Sequence, residues 1–159
     1  MDKKPMILLV EDDEELASVY RARFEAEGFA TAWAENGELA LARVTESQPD
    51  LILLDIMMPR VSGFDVLDIL RNTPQTQHAK IVMMSALSSD KDIAKAKSLG
   101  VDDYLVKSQV AMADVVHIVK KHLGMLDDGS RPAQAAGDMP ADASMTPPSP
   151  PPVEPTSTT

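Results

Sequence analysis

The sequence predicts an α/β protein: a doubly wound, parallel, five-stranded sheet with helices on both faces. Three observations carry that expectation. Five short apolar runs alternate with stretches of helical spacing. The first, third and fourth runs are apolar on both alternating faces, as in strands covered by helices from two sides. The intervening stretches carry helix cap or stop signals.

The elements follow in order. Met6-Ile7-Leu8-Leu9-Val10 is the first strand. Leu16, Val19, Tyr20 and Phe24 fall at i, i+3, i+4 and i+8, predicting an inward stripe on the first helix, and Gly28 stops it. Thr31-Ala32-Trp33-Ala34, richer in alanine, suits an edge strand. Asn36 can cap a second helix through about Ser47, before Gln48-Pro49-Asp50 turns the chain into Leu51-Ile52-Leu53-Leu54. Ser62-Gly63-Phe64-Asp65 is a capping-box-like start, with Val66, Leu67 and Leu70 inward. Ile81-Val82-Met83-Met84 is the fourth strand. Ser89-Asp90-Lys91-Asp92 opens the next helix and Gly100 closes it after Leu99. Tyr104-Leu105-Val106 is the fifth strand. Met112, Val115, Val116, Val119 and Leu123 line one stripe of the last helix, with Lys120 and Lys121 at its negative end and Gly124 beyond. Five consecutive βα units with right-handed crossovers give the flavodoxin-like strand order 2-1-3-4-5.

Composition narrows the function. The 159 residues carry a formal net charge of -10, which argues against nucleic acid as a direct partner, since phosphate contacts need a basic footprint. The absence of cysteine excludes disulfides, thiolate metal sites and a cysteine nucleophile, and is compatible with a reducing cytosol. No apolar run approaches the roughly 20 residues of a membrane span. Near Gly124 the composition shifts to a Pro/Ala/Ser/Thr mixture ending in Pro147-Pro148-Ser149-Pro150-Pro151-Pro152. The expected organisation is a folded domain over residues 5–124 and a disordered tail over 125–159. That tail has too little apolar surface to offset its ordering entropy, and is either inert or a carrier of a docking motif.

In an open parallel sheet, ligands bind beyond the carboxyl ends of the strands. Glu11, Asp12 and Asp13 follow the first run, Asp55 the third, Ser85 the fourth and Lys107 the fifth. Each alone has a bland reading as a cap, a turn former or a solvated charge. On four contiguous strands they form one crevice of acids, a hydroxyl and an ammonium.

Ile7-Leu8-Leu9-Val10-Glu11-Asp12-Asp13, Leu53-Leu54-Asp55-Ile56-Met57-Met58-Pro59, Met84-Ser85-Ala86 and Asp103-Tyr104-Leu105-Val106-Lys107 together resemble the receiver domain of bacterial two-component response regulators. The likeness covers about residues 5–124. It implies a cytoplasmic signalling protein, not a conventional enzyme, that takes a phosphoryl group from a sensor histidine kinase or phosphotransfer protein onto Asp55. A carboxylate is a competent nucleophile there, and cations must neutralise the meeting of two anions. The resemblance implies Mg²⁺ held by Glu11, Asp12, Asp55 and the backbone carbonyl of Met57, with Lys107 and Ser85 on phosphoryl oxygens. Tyr104 matches the switch aromatic. Movement of Ser85 and Tyr104 then remodels the face of the Ser89–Leu99 helix, the fifth strand and the last helix, to control a protein partner. Lys91 and Lys95 on that face suit an acidic partner segment. Asp13 is expected to start the first helix, and Pro59 and Gly63 to shape the loop after Asp55.

Two departures stand out. Ser108 replaces the proline common after Lys107, and no output domain follows within this sequence, which resembles a stand-alone receiver. Three other readings compete. An aspartyl-phosphate hydrolase of the haloacid dehalogenase type needs an acid where Met57 stands. A pseudo-receiver conflicts with the intact Glu11, Asp12, Asp55, Ser85 and Lys107. A flavodoxin-like flavin carrier wants a Ser/Thr/Gly-rich phosphate loop where this chain has three acids.

Overall fold

A computed structural model describes residues 3–126. Five strands, β1 (Met6–Val10), β2 (Ala30–Ala34), β3 (Leu51–Leu54), β4 (Lys80–Ser85) and β5 (Asp103–Val106), alternate with five helices. The helices are α1 (Glu14–Ala26), α2 (Gly37–Ser47), α3 (Gly63–Arg71), α4 (Asp90–Ser98) and α5 (Met112–His122). All strand pairings are parallel, in the order β2-β1-β3-β4-β5. This is the expected doubly wound architecture.

The period-two alternation of a strand divides each central run between two cores. Leu8, Val10, Ile52, Leu54, Ile81 and Met83 face the side where α2, α3 and α4 bring Ala40, Val44, Val66, Leu67, Leu70 and Ala96. Ile7, Leu9, Leu51, Leu53, Val82 and Met84 face α1 and α5, with Ala17, Tyr20, Phe24, Val115, Val116 and Val119. Double coverage is why β1, β3 and β4 tolerate apolar residues at nearly every position.

The cap signals act as read. The side chains of Asp13, Asn36, Ser62 and Ser89 accept from the backbone N–H three residues on, at the starts of α1 to α4. Gly28 and Gly100 take left-handed φ values of 96° and 93° just past α1 and α4, where a Cβ would be strained. α5 lacks a side-chain acceptor at Ala111, and Asp114 reaches back to its N–H instead, at 2.8 Å.

One helix differs from expectation. Val19 is 56% exposed, and the inward stripe of α1 is Ala17, Tyr20 and Phe24, with Leu16 half-buried. Ala17, Tyr20 and Phe24 share the face that packs on the sheet, and Val19 lies off it. Among the described residues no peptide bond is cis, so the chain passes Lys107-Ser108 in the trans form. No described helix is long and apolar enough to cross a membrane. The proposed tail over 125–159 lies, from residue 127 on, outside the described residues.

Candidate phosphoacceptor site

Among the described residues three polar side chains are classed as buried, and all three lie at the carboxyl ends of the strands: Glu11 (2% exposed), Asp55 (5%) and Ser85 (0%). Parallel pairing aligns the strand ends, since Val10 is opposite both Ala34 and Leu54 and Ser85 is opposite Val106. The residues that leave β1, β3 and β5 therefore emerge together.

Lys107 closes the group. Its Nζ donates to Glu11 Oε2 at 2.7 Å and to Asp55 Oδ2 at 3.0 Å. The Lys107 backbone N–H donates to the Ser85 carbonyl at 2.8 Å, fixing where its side chain starts. The second oxygen of Asp55, Oδ1, accepts from the Met57 N–H at 3.2 Å, and Glu11 Oε1 accepts from the Asp13 N–H at 3.3 Å. Asp13 itself caps α1 through Leu16 N, the expected helix-starting role. Asp12 is exposed, at the rim.

Burial pushes the Glu11 carboxyl up to about 7; the Lys107 hydrogen bond pulls against this and the Asp55 charge adds to it. For Lys107, burial alone disfavours the ammonium, but the Glu11 hydrogen bond and the Asp55 charge outweigh it, so its pKa is raised. The lysine stays charged, and the acids compete for it.

Carboxylate oxygens of Glu11, Asp12 and Asp55 lie within 4.8 Å of one another. Three hard oxygen donors around one point fit Mg²⁺, which takes carboxylates and keeps further positions for water or phosphoryl oxygen. One ammonium does not balance three carboxylates, which is a second reason for a cation there.

Ser85 Oγ accepts from the Leu87 N–H at 3.1 Å, and the Tyr104 hydroxyl donates to the Leu87 carbonyl at 2.7 Å. One residue of the β4–α4 loop thus links the two expected switch side chains. Burial raises the Tyr104 pKa. Lys95 is exposed, and its ammonium stands 4.4 Å from the centre of the Phe64 ring of α3. Lys91 is exposed, as expected.

Gly63 is the shape residue it was read to be. A Cβ there would lie 2.2 Å from the Asp55 carbonyl oxygen and 2.7 Å from Ile56 Cα. Met57 is not packed: it is 56% exposed at the rim, whereas Met58 joins the α2–α4 core.

Two residues near the site were missed. Trp33 lies on the edge strand, yet its Nε1–H donates to the Glu11 carbonyl oxygen at 2.9 Å. Tyr20 read as ordinary helix packing; burial raises its phenol pKa, and Lys107, Glu11 and Asp55 all act on it electrostatically. Neither carries a motif. The only signal for Trp33 was its size one residue before the end of a strand next to β1.

Comparison with known proteins gives a consistent result. The family described as "Response regulator receiver domain" matches residues 7–120. The phosphate regulon transcriptional regulatory protein PhoB of Rhizobium meliloti (strain 1021) is 39% identical over 103 residues, 65% of this chain and 45% of PhoB. The transcriptional regulatory protein CpxR of Escherichia coli (strain K12) is 46% identical over 101 residues, 64% of this chain and 42% of CpxR. The chain thus spans less than half the length of these curated relatives. Among solved structures, the BeF3-activated N-terminal receiver domain of Klebsiella pneumoniae RstA aligns with a TM-score of 0.69 at 28% identity, covering 74% of this chain and 97% of that one.

Proposed function

The chain belongs to the response regulator receiver domain family, and from that membership we propose that it accepts a phosphoryl group on Asp55 and signals the change through a remote face. The observation that carries this reading is the burial of Glu11, Asp55 and Ser85 at one end of the sheet, with Lys107 bonded to both acids.

The donor is a phosphohistidine on a sensor histidine kinase or phosphotransfer protein. A carboxylate oxygen of Asp55 attacks phosphorus, the P–N bond breaks, and the electron pair leaves on the imidazole, which takes a proton. The product is an acyl phosphate. Lys107, already charged and held between Glu11 and Asp55, shifts to a phosphoryl oxygen. Ser85, at the end of β4, donates its hydroxyl to another. Glu11, Asp12, Asp55 and the Met57 carbonyl would hold Mg²⁺, which when bound would supply charge neutralisation at the transferring group. Met57 and Met58 add no reacting group; the Met57 N–H orients Asp55.

Ser85 Oγ accepts from the Leu87 N–H at 3.1 Å, and movement of the hydroxyl toward the phosphoryl group would stretch that bond. Its departure loosens Leu87, and with it the Tyr104 hydroxyl bond. The β4–α4 loop then repacks and changes the α4–β5–α5 face that a downstream protein reads. This is a bistable element biased by a local electrostatic event. The protein acts in the cytoplasm, without contacting nucleic acid through this domain. Residues 5–124 form the folding unit.

The test is incubation with acetyl phosphate and Mg²⁺ followed by intact mass. Wild type gains one phosphoryl group; Asp55→Asn and wild type in excess EDTA gain none. Undiminished phosphorylation of Asp55→Asn would refute the assignment. Amide exchange over residues 86–112, with and without beryllofluoride, tests the switch: a modified Asp55 with no change in this region removes it.

A further inference from the structure

We propose that Trp33 is a positioning residue for the acidic cluster: its indole N–H fixes the Glu11–Asp12 peptide, and so holds Asp12 in reach of the cation. The proposal rests on reading Glu11, Asp12 and Asp55 as the cation site.

The regular β1–β2 ladder ends at Val10 and Ala34, so Glu11 lies one residue beyond it. The Val10 carbonyl is taken by the Asp55 N–H at 3.0 Å, and the Glu11 N–H donates to Ala34 O at 3.1 Å. The Glu11 carbonyl lies just past β1, and no strand N–H among the described residues donates to it. Trp33 supplies the donor. It sits opposite Leu9 in register, on the α1–α5 side of the sheet, half-buried against that core. From there its ring runs along the strand direction, and Nε1 meets Glu11 O at 2.9 Å. Two consecutive residues at the end of the edge strand thus hold both backbone polar groups of Glu11, Ala34 by its carbonyl and Trp33 by its side chain.

This matters most for Asp12. Glu11 and Asp55 are held by Lys107 and by backbone N–H groups. Among the described residues no hydrogen bond holds the Asp12 carboxylate, and it is exposed. Its direction is therefore set by its backbone, and the preceding peptide is the one Trp33 anchors. Without a cation the three acids repel, and a loose peptide would let Asp12 swing into water. A fixed peptide keeps the donor set preorganised, so less ordering is needed on binding.

The same geometry makes Trp33 a reporter. It is the only tryptophan in the chain, and its N–H bonds to the residue that bears one of the acids. Charge arriving at the carboxylates alters the field on the indole and its hydrogen bond.

The experiment uses the full chain. Wild-type emission is titrated with MgCl₂, and Mg²⁺ affinity of wild type and Trp33→Phe is measured by calorimetry. A second variant carries benzothienylalanine at position 33, which keeps the ring shape and replaces the N–H by sulfur. The expected result is a saturable emission change in wild type, at the calorimetric midpoint, and a Mg²⁺ affinity roughly two- to tenfold weaker in both variants, the range commanded by one hydrogen bond. Wild-type affinity in the benzothienyl variant overturns the proposal, whatever Trp33→Phe does to folding. So does calorimetric binding with no change in wild-type emission. If wild type binds no Mg²⁺ by calorimetry, the cation-site reading itself falls, and the role of Trp33 with it.

Discussion

Replacing Gly63 by alanine tests whether the backbone behind Asp55 is as closely packed as the structure shows. Gly63 opens α3, and its φ is not in the left-handed region, so conformational freedom is not its purpose. Proximity is. The new Cβ would stand 2.2 Å from the Asp55 carbonyl oxygen, 2.7 Å from Ile56 Cα and 2.9 Å from the Asp55 carbonyl carbon. These are backbone atoms of the residue that follows β3 and of its neighbour, so no side chain can turn aside. Recovering ordinary van der Waals contact needs a retreat of roughly 1 Å. The Gly63 N–H to Ile56 carbonyl bond, 2.9 Å, lies on the same line of approach and would stretch or break. Overpacking of a dense interior costs about 1–3 kcal/mol, and a lost hydrogen bond about 1 kcal/mol more, so Gly63→Ala should lower stability by about 2–4 kcal/mol. Urea unfolding followed by circular dichroism measures it, with the slope unchanged and the midpoint reduced. The displaced Asp55 also leaves its place against Lys107, so acetyl phosphate labelling of the folded fraction should slow by at least tenfold, given how steeply reaction depends on placement. Gly37→Ala is the comparison. Its Cβ would meet the Val61 and Val66 side chains at 2.8–2.9 Å and not the backbone, so the loss should be smaller and labelling should be retained. A Gly63→Ala protein within 0.5 kcal/mol of wild type would refute the reasoning.

Three further outcomes follow from the charges and the rim. Asp55→Asn removes one of the influences that raise the Glu11 pKa, so in Mg²⁺-free buffer at pH 8 it should raise unfolding free energy by about 1 kcal/mol; a lower urea midpoint would contradict the repulsion. Glu27 carries the opposite sign: the Lys120 hydrogen bond at 2.7 Å, with help from Arg23, holds its carboxyl below the usual value. Its contribution is therefore complete above the ordinary carboxylate pKa and is lost as pH falls through the depressed folded value. Glu27→Gln should cost a few tenths to about 1 kcal/mol at pH 7, since the pair is partly exposed, and the gap should close in acid; an equal gap from pH 7 to pH 3 would refute it. Met57 stands 56% exposed at the rim of the site and cannot orient water. Met57→Asn should shorten the lifetime of the phosphorylated form severalfold, read as loss of the phosphoryl mass with time, and an unchanged or longer lifetime would count against a role for this position.

What the sequence made legible follows from how each residue is covered. β1, β3 and β4 were plain because two-sided burial leaves uninterrupted apolar runs. The caps Asp13, Asn36, Ser62 and Ser89 were plain because a short polar side chain before a helix has one dominant use. The inward stripe of α1 was misplaced because Val19 and Ala17 both fit a 3.6-residue period with Tyr20, and hydrophobicity favours valine. Which of the two turns to the sheet is set by how the helix docks, and that is not written in a single helix. The role of Trp33 was not legible because strand order counts lateral spacing and ignores the reach of an indole along the strand. The site acids, Ser85 and Lys107 were legible as a set because each directly follows or ends an apolar run. Leu87, which ties Ser85 to Tyr104 through its own backbone, was invisible, since any residue there offers the same N–H and C=O.

The hydrogen bonds of Lys107 give the site its logic. A single ammonium serves Glu11 at 2.7 Å and Asp55 at 3.0 Å, and both acids are almost wholly buried. In this state the lysine is the cation that makes two neighbouring carboxylates tolerable, and Glu11 still sits near the edge of protonation, pushed up to about 7. A phosphoryl group on Asp55 would add charge and acceptor oxygens and draw Lys107 toward them. Glu11 would then lose its partner inside the protein, where an unpaired charge is costly. Either it takes up a proton or another cation stands beside it. Glu11 and Asp12 would hold a divalent ion, whose charge would meet that need and leave the lysine to the phosphoryl group. On the proposed reading, cation binding and phosphoryl transfer would be coupled through one lysine. Lys107→Gln separates the two: cation affinity should persist or rise with the ammonium gone, while the phosphoryl group loses a charged partner and labelling slows. A variant that lost both equally would show that Lys107 holds the acids in place, and that the exchange of partners is not how the site works.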